Sequence, residues 1–244
     1  STIHKFTSGG ELLLSLGSED CPSPAFSGHP FNLPTHAGIH PLNGNIYISD
    51  GYGNSRIHTF SPDGRLLFSW GESGTGPGQF CIPHDILIDI DGWVYVADRE
   101  NKRIQIFDSN GKYETQWVNL SKTGCIALGN TGNEPMFYIG EYYSASLPNP
   151  ITDAFFNIYS SVLNWGPRVS ILNGSGNILA QLGEKTFGDE AGRFYTPHGI
   201  AVDSRGDIYV SEVSWSEIGF RLTPPRERGH IRSMQKLIRQ DETK

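Results

Sequence analysis

Two histidines in this chain directly follow a proline at the same point of a repeated segment: Pro83-His84-Asp85 and Pro197-His198-Gly199. Imidazoles at matched repeat positions suit a borderline-soft divalent ion such as zinc, which takes nitrogen donors readily. The rival reading is that these histidines fill a channel and bond to strand backbone; the matched positions after proline favour the metal. A third ligand is needed. The matching position of the first copy is Thr35, with His36 beside it, and the degenerate third copy offers Cys125 or its neighbour Gly124. The first copy carries an extra residue between Pro34 and Gly44, and His36 becomes the ligand if that residue precedes the strand. Tyr52 and Arg99 stand just after the repeated acids Asp50 and Asp98 and break the repeat there. A tyrosine beside a metal acts as a general base when its pKa is lowered, and an arginine can clamp a substrate carboxylate through two parallel bonds.

The elements that must hold these residues are repeats. Pro34-Thr35-His36, Pro83-His84-Asp85 and Pro197-His198-Gly199 each open a short apolar strand. Each is followed by a turn and a second strand ending on an acid, as in Ile46 to Asp50, Val94 to Asp98 and Ile208 to Glu212. The spacing from Asp50 to Asp98 is 98 − 50 = 48 residues, room for four short strands and their turns. Strands rich in Ile, Val, Tyr and Phe are bounded by turn residues such as Asp63-Gly64, Asp91-Gly92 and Asn110-Gly111. The one weak helical period lies near Met234 to Ile238, where the last unit's final strand, Gln235 to Arg239, is nevertheless expected. A four-stranded antiparallel unit repeated at this length predicts an all-β fold, the β-propeller, in a single domain. The expected units are a partial blade at 1–17 and blades at about 31–70, 79–117, 121–182 and 194–240, with a loop insertion at 142–167. In a radial array, equivalent positions of different blades converge on one axis, which is what would draw His84 and His198 together.

The acids Asp50, Asp98, Glu141 and Glu212 recur in every copy. A site used once per protein does not need four, so these are expected to be architecture, accepting bonds from backbone or from Arg56 and Arg103. Net charge is −7 without a basic stripe, which argues against nucleic-acid binding. The basic tail (Arg226, Arg228, Arg232, Lys236, Arg239) reads as charge guarding an edge strand. No apolar run long enough to span a membrane is present. Three irregularly spaced cysteines do not make a disulfide framework and lean the expectation toward a reducing, cytoplasmic compartment.

Several stretches together resemble NHL-repeat propellers: Ser49-Asp50-Gly51-Tyr52-Gly53-Asn54-Ser55-Arg56-Ile57, Trp70-Gly71-Glu72 through Gly78-Gln79-Phe80, Pro83-His84, and Ala97-Asp98-Arg99-Glu100-Asn101-Lys102-Arg103-Ile104. More narrowly they are similar to the peptidyl-α-hydroxyglycine α-amidating lyase family and its bacterial relatives. The resemblance is close from Phe31 to Trp117 and looser from Phe194 to Glu212. It implies an NHL-type, six-bladed β-propeller with about four and a half blades in this chain. It also implies a catalytic zinc on three histidines, with calcium as a second, structural ion. By motif, His84 and His198 match two zinc ligands, Tyr52 the general base and Arg99 the substrate arginine. The family's first zinc histidine and another substrate arginine fall on blades that would precede Ser1.

The resulting expectation is a metal-dependent lyase acting on a polarised hydroxyl or carbonyl group of a small-molecule or peptide-like substrate. The runner-up is a non-catalytic propeller that presents one face to a protein or small ligand. A calcium-dependent lactonase-like hydrolase would need a Glu, Asn and Asp set on the axis that the repeat positions do not supply. An incomplete ring leaves strand edges open, so self-association is expected as well.

Overall fold

The computed structural model describes residues 1–130, 134–142, 166–183, 187–221, 225, 227 and 229–240. Most of the insertion at 142–167, and Arg226 and Arg228 of the basic tail, lie outside the described residues. The chain forms two compact units, Ser1–Val118 and Asn119–Lys244.

The first unit begins with a hairpin, β1 (Thr2–Phe6) and β2 (Leu12–Gly17). A four-stranded antiparallel meander comes next: β3 (His36–Ile39), β4 (Ile46–Asp50), β5 (Arg56–Phe60) and β6 (Leu66–Trp70). A short parallel pair, β7 (Glu72–Ser73) with β8 (Gln79–Phe80), leads into a second meander. That sheet is β9 (Pro83–Ile88), β10 (Val94–Asp98), β11 (Arg103–Phe107) and β12 (Tyr113–Trp117). Every residue of β4 is buried, although its sequence carries Ser49 and Asp50. The cause is that apolar layers pack on both of its faces. Ile46 and Ile48 join Leu16, Phe31 and Phe60 on the hairpin side, while Tyr47 joins Phe80, Ile86, Val96 and Phe107 toward the second meander. Burying each large side chain in such a layer is worth about 1.5–3 kcal/mol.

The second unit repeats the plan with β13 (Lys122–Asn130), β14 (Pro135–Tyr142), β15 (Arg168–Asn173) and β16 (Ile178–Leu182). Its other sheet has three strands, β17 (Pro197–Val202), β18 (Ile208–Glu212) and β19 (Met234–Leu237). A four-residue helical turn, Ser214–Glu217, comes after β18. The weak helical period near the C-terminus is therefore overridden: Met234–Leu237 pairs with β18 as a strand, because tertiary pairing outweighs a marginal local preference.

Candidate functional site

In three of the sheets the second strand (β4, β10, β18) ends on the repeated acid, and the next stretch of chain is tied back to the residue before the repeated Pro-x-x opening. In the first meander the N–H of Tyr52 donates to Leu33 O (3.4 Å); in the second the N–H of Arg99 donates to Ile82 O (3.2 Å). Leu33 and Ile82 hold the left-handed conformation, at φ 60° and 57°. For bulky residues that conformation is strained, and strain of this kind clusters at functional sites. The same local device thus presents Tyr52 and Arg99 from equivalent points of neighbouring sheets.

Tyr52 sits on α1 (Gly51–Asn54), one short turn after Asp50. Gly51 is what lets that turn approach the next sheet, since a Cβ there would run into Pro83 O. The result is a three-residue cluster. Tyr52 Oη lies 3.2 Å from His84 Nε2, with the two rings edge to face at 5.8 Å. Arg99 Nη1 donates to Tyr52 Oη at 3.2 Å, and its guanidinium carbon stands 5.4 Å from the Tyr52 ring centroid. Arg99 Nε in turn pairs with Glu100 at 3.0 Å. Tyr52 is 47% exposed while His84 is only 5% exposed, so the phenol forms the open wall and the imidazole its floor. With Arg99 donating to Oη, the phenol's own proton is the one that can meet His84 Nε2.

His84 lies in a β-bulge: Asp98 pairs with Pro83 and Ala97 with Asp85, leaving His84 between them. His198 occupies the same bulge in the second unit, between the Pro197–Glu212 and Gly199–Ser211 pairs. Bulges re-aim a side chain out of the ladder, which is why both histidines leave the strand's regular alternation. In the β13–β14 sheet the bulged residue is Gly124, and a Cβ there would meet the ring of Tyr142. His198 stacks on that same Tyr142, centroids 5.6 Å apart at 26°.

His36 pairs with Ser49, the register that Asp85 holds in the second sheet, so Thr35 stands at the position equivalent to His84. The extra residue of the first copy falls in the β3–β4 turn, residues 40–45, against 89–93 and 203–207 in the sister turns. It does not precede the strand. His36 instead contacts Asp85, Nδ1 to Oδ1 at 2.5 Å, with its ring 54% exposed. The hydrogen bond to Asp85 raises the His36 pKa above its ordinary value. Thr35 Oγ1 donates to Pro83 O at 2.8 Å, adding a second tie between β3 and β9.

As zinc donors, His84 and His198 are of suitable type and each unit offers one at the bulge. Among the described residues, no three His, Cys, Asp or Glu side chains come together as a metal cage. The Nε2 lone pair of His84 can accept the phenol proton or ligate a metal, but not both at once.

The repeated acids are sockets, as their recurrence implies. Asp98 accepts from Cys81 N, Asn101, Arg103 and Gln105. Glu141 accepts from Arg168 at 2.9 and 2.7 Å. Arg56 does not act as its sister Arg103 does: its Nε is buried without a hydrogen-bond partner, and the guanidinium packs near Gly28. Asp50 is served instead by His58, 3.3 Å away and wholly buried. Sequence reasoning missed His58, although setting copy against copy would have marked it, since two of its sister positions hold Gln105 and Gln235.

Antiparallel four-stranded meanders repeated at this spacing define a β-propeller, and the family models agree. Residues 35–114 match the six-bladed β-propeller model and residues 194–216 the NHL repeat model. The chain thus has a β-propeller fold and carries NHL-repeat sequence. It is 40% identical over 121 residues, 48% of its length, to human NHL repeat-containing protein 3. It is 35% identical over 222 residues, 88% of its length, to a probable peptidyl-α-hydroxyglycine α-amidating lyase of Caenorhabditis elegans. The chain spans 35% of the human protein and 56% of the nematode one. Among solved structures, a streptogramin B lyase aligns with 99% of this chain and 63% of its own, at TM-score 0.57 and 16% identity, a likeness of fold alone.

Proposed function

We propose that this protein is a lyase-like enzyme that splits a carbinolamide, an amide nitrogen bound to a hydroxylated carbon, into an amide and an aldehyde. The observation that carries the reading is the Tyr52–His84–Arg99 cluster, and the amidating-lyase name of the nematode relative supports it. Tyr52 Oη takes the substrate hydroxyl proton while its own proton passes to His84 Nε2. The hydroxyl oxygen becomes the aldehyde carbonyl as the C–N bond breaks, and the amide nitrogen receives the proton, so nothing is oxidised or reduced. Arg99 favours the negative charge on Oη and stands ready to hold a substrate carboxylate. His84 and His198 are each of the donor type that zinc takes, and zinc on His84 Nε2 would stand in place of the phenol proton there. When bound, that metal would supply Lewis-acid polarisation of the hydroxyl oxygen.

The test is turnover of a short N-acyl-α-hydroxyglycine peptide by the purified protein, with release of amide and glyoxylate followed directly. Product formation that Tyr52→Phe removes supports the proposal; no product from the folded, zinc-supplemented protein overturns it. The second reading, a binding module, is favoured by the identity to a relative named for its repeats alone. It would be supported by ligand capture without turnover.

A further inference from the structure

The wholly buried His58 has no part in the proposed chemistry, yet both of its ring nitrogens are engaged. Nδ1 lies 2.7 Å from Ser69 Oγ on β6, and Nε2 lies 3.3 Å from Asp50 Oδ2. One neutral tautomer satisfies both: Ser69 O–H donates to Nδ1, and Nε2–H donates to the carboxylate. Phe31 closes the site, its ring edge to face with the imidazole at 5.7 Å.

Asp50 is the residue from which the Tyr52 turn departs. Its carboxylate accepts Asn32 N on both oxygens at 2.9 Å, and Asn54 Nδ2 at 2.8 Å. Asn54 is the last residue of α1, and it also donates to His29 O and accepts from Gly28 N. Asn32 O accepts from Gly53 N. So the two ends of the Tyr52 turn, and the loop it leans on, are all tied to one buried carboxylate. A turn of four residues is too short to hold its own geometry, and its N-cap makes no side-chain capping bond. Its position is set by that carboxylate.

In two sister sheets the residue equivalent to His58 is a glutamine, Gln105 donating to Asp98 at 3.1 Å and Gln235 to Glu212 at 3.3 Å, and in the β13–β16 sheet it is Ser170, which donates to Glu141. There is a difference in kind. Asp98 also receives the guanidinium of Arg103. In the first sheet the described bonds to Asp50 come from Asn32, Asn54 and His58, and the imidazole is the ring donor that fixes the carboxylate from below. Groups facing His58 are Asp50 from β4, Ser69 from β6 and Phe31 from the preceding loop.

We propose that His58, relayed through Asp50 and steadied by Ser69, is a positioning residue for Tyr52, setting where its phenol stands against His84 and Arg99. This rests on the proposed role of Tyr52 for its catalytic consequence, but its structural claim is tested without any substrate. Protein labelled with carbon-13 at the tyrosine ring ζ carbon gives a Tyr52 resonance identified by its loss in Tyr52→Phe. His58→Leu is expected to shift that resonance and, if the carbinolamide assay works, to lower kcat about tenfold or more with KM little changed. His58→Gln, the residue of two sister sheets, keeps the donor and is expected to restore both. Gln235→Leu removes the equivalent bond in the second unit and is the control for general loosening; it is expected to leave the resonance in place. Ser69→Ala is a milder variant should His58→Leu not fold, and is expected to give a smaller shift in the same direction. A Tyr52 resonance unmoved in the folded His58→Leu or Ser69→Ala protein, or moved equally by Gln235→Leu, overturns the inference. Failure of turnover with the resonance shifts intact would sink the lyase reading and leave this one standing.

Discussion

The two units place a histidine in the same β-bulge and surround it with different neighbours. In the first, His84 is buried, with Tyr52 Oη at its Nε2 and Arg99 behind the phenol. In the second, His198 is exposed and lies flat on Tyr142. Register alone therefore does not make a site. The residues just after the repeated acid do: Gly51-Tyr52 forms a turn that reaches across to β9, made possible by the missing Cβ of Gly51. The same contrast recurs one layer below. Arg103 and Arg56 hold the same repeat position, yet Arg103 is bonded to Asp98, Gln116 and two carbonyls, while Arg56 Nε bonds nothing.

The sharpest way to break the comparison of bulges is to remove each key group in turn. Tyr52→Phe deletes only the phenolic oxygen and is expected to lower kcat by about 10²–10⁴-fold, the usual contribution of a positioned proton-transfer group. Metal content, read by elemental analysis, should be unchanged. His84→Ala and His198→Ala are each expected to lower zinc stoichiometry; retention of full zinc in both variants removes these residues from the metal.

Next in size is the contrast of arginines. Arg103→Ala leaves the wholly buried Asp98 without its cation and is expected to destabilise by about 3–5 kcal/mol, the typical result of breaking one side of a buried pair. Arg56→Ala gives up no hydrogen bond through Nε and should cost under about 1 kcal/mol, within the range of surface changes. Chemical denaturation measures both. Equal losses would mean that the two arginines serve their sheets alike. Gly51→Ala is expected to separate Tyr52 from His84, seen as reduced activity at nearly constant stability of the second unit.

The smallest effect concerns pH. Asp85 holds the His36 pKa above its ordinary 6.5, so protonated His36 favours the folded state. That contribution is complete below the ordinary value and is lost as pH rises through the raised one. Because His36 is half exposed, solvent screens the pair and the change should be slight. Denaturation midpoints across that window should fall in the native protein and stay flatter in Asp85→Asn.

Much of the fold was legible because each strand states its own pattern. Alternation, turn residues and the 48-residue spacing are local, and they survive translation into space unchanged. The acids were legible as scaffold for the same reason, since repetition itself separates architecture from site. Tyr52, Arg99 and His84 were singled out because they break or share the repeat, and the structure brings those three together. His36 illustrates the limit. Whether an extra residue lies before a strand or in its turn changes which side chain faces which neighbour, and spacing cannot say. Ladder pairing decides it, placing His36 against Asp85 and Thr35 opposite Pro83. Arg56 and His58 show it again. Both lie on β5, two positions apart, each able to serve Asp50, and only the packing of Phe31, Gly28 and Ser69 around them selects the imidazole.

The sequence by itself determined the repeat, the strands, the acid sockets and the bulge histidines, because these rest on residue type and period along the chain. The tertiary structure decided the partners: Tyr52 on His84, His36 on Asp85, His58 under Asp50. The physical reason is that hydrogen-bond reach is about 3 Å, and contacts that short between residues many positions apart are fixed by register and packing.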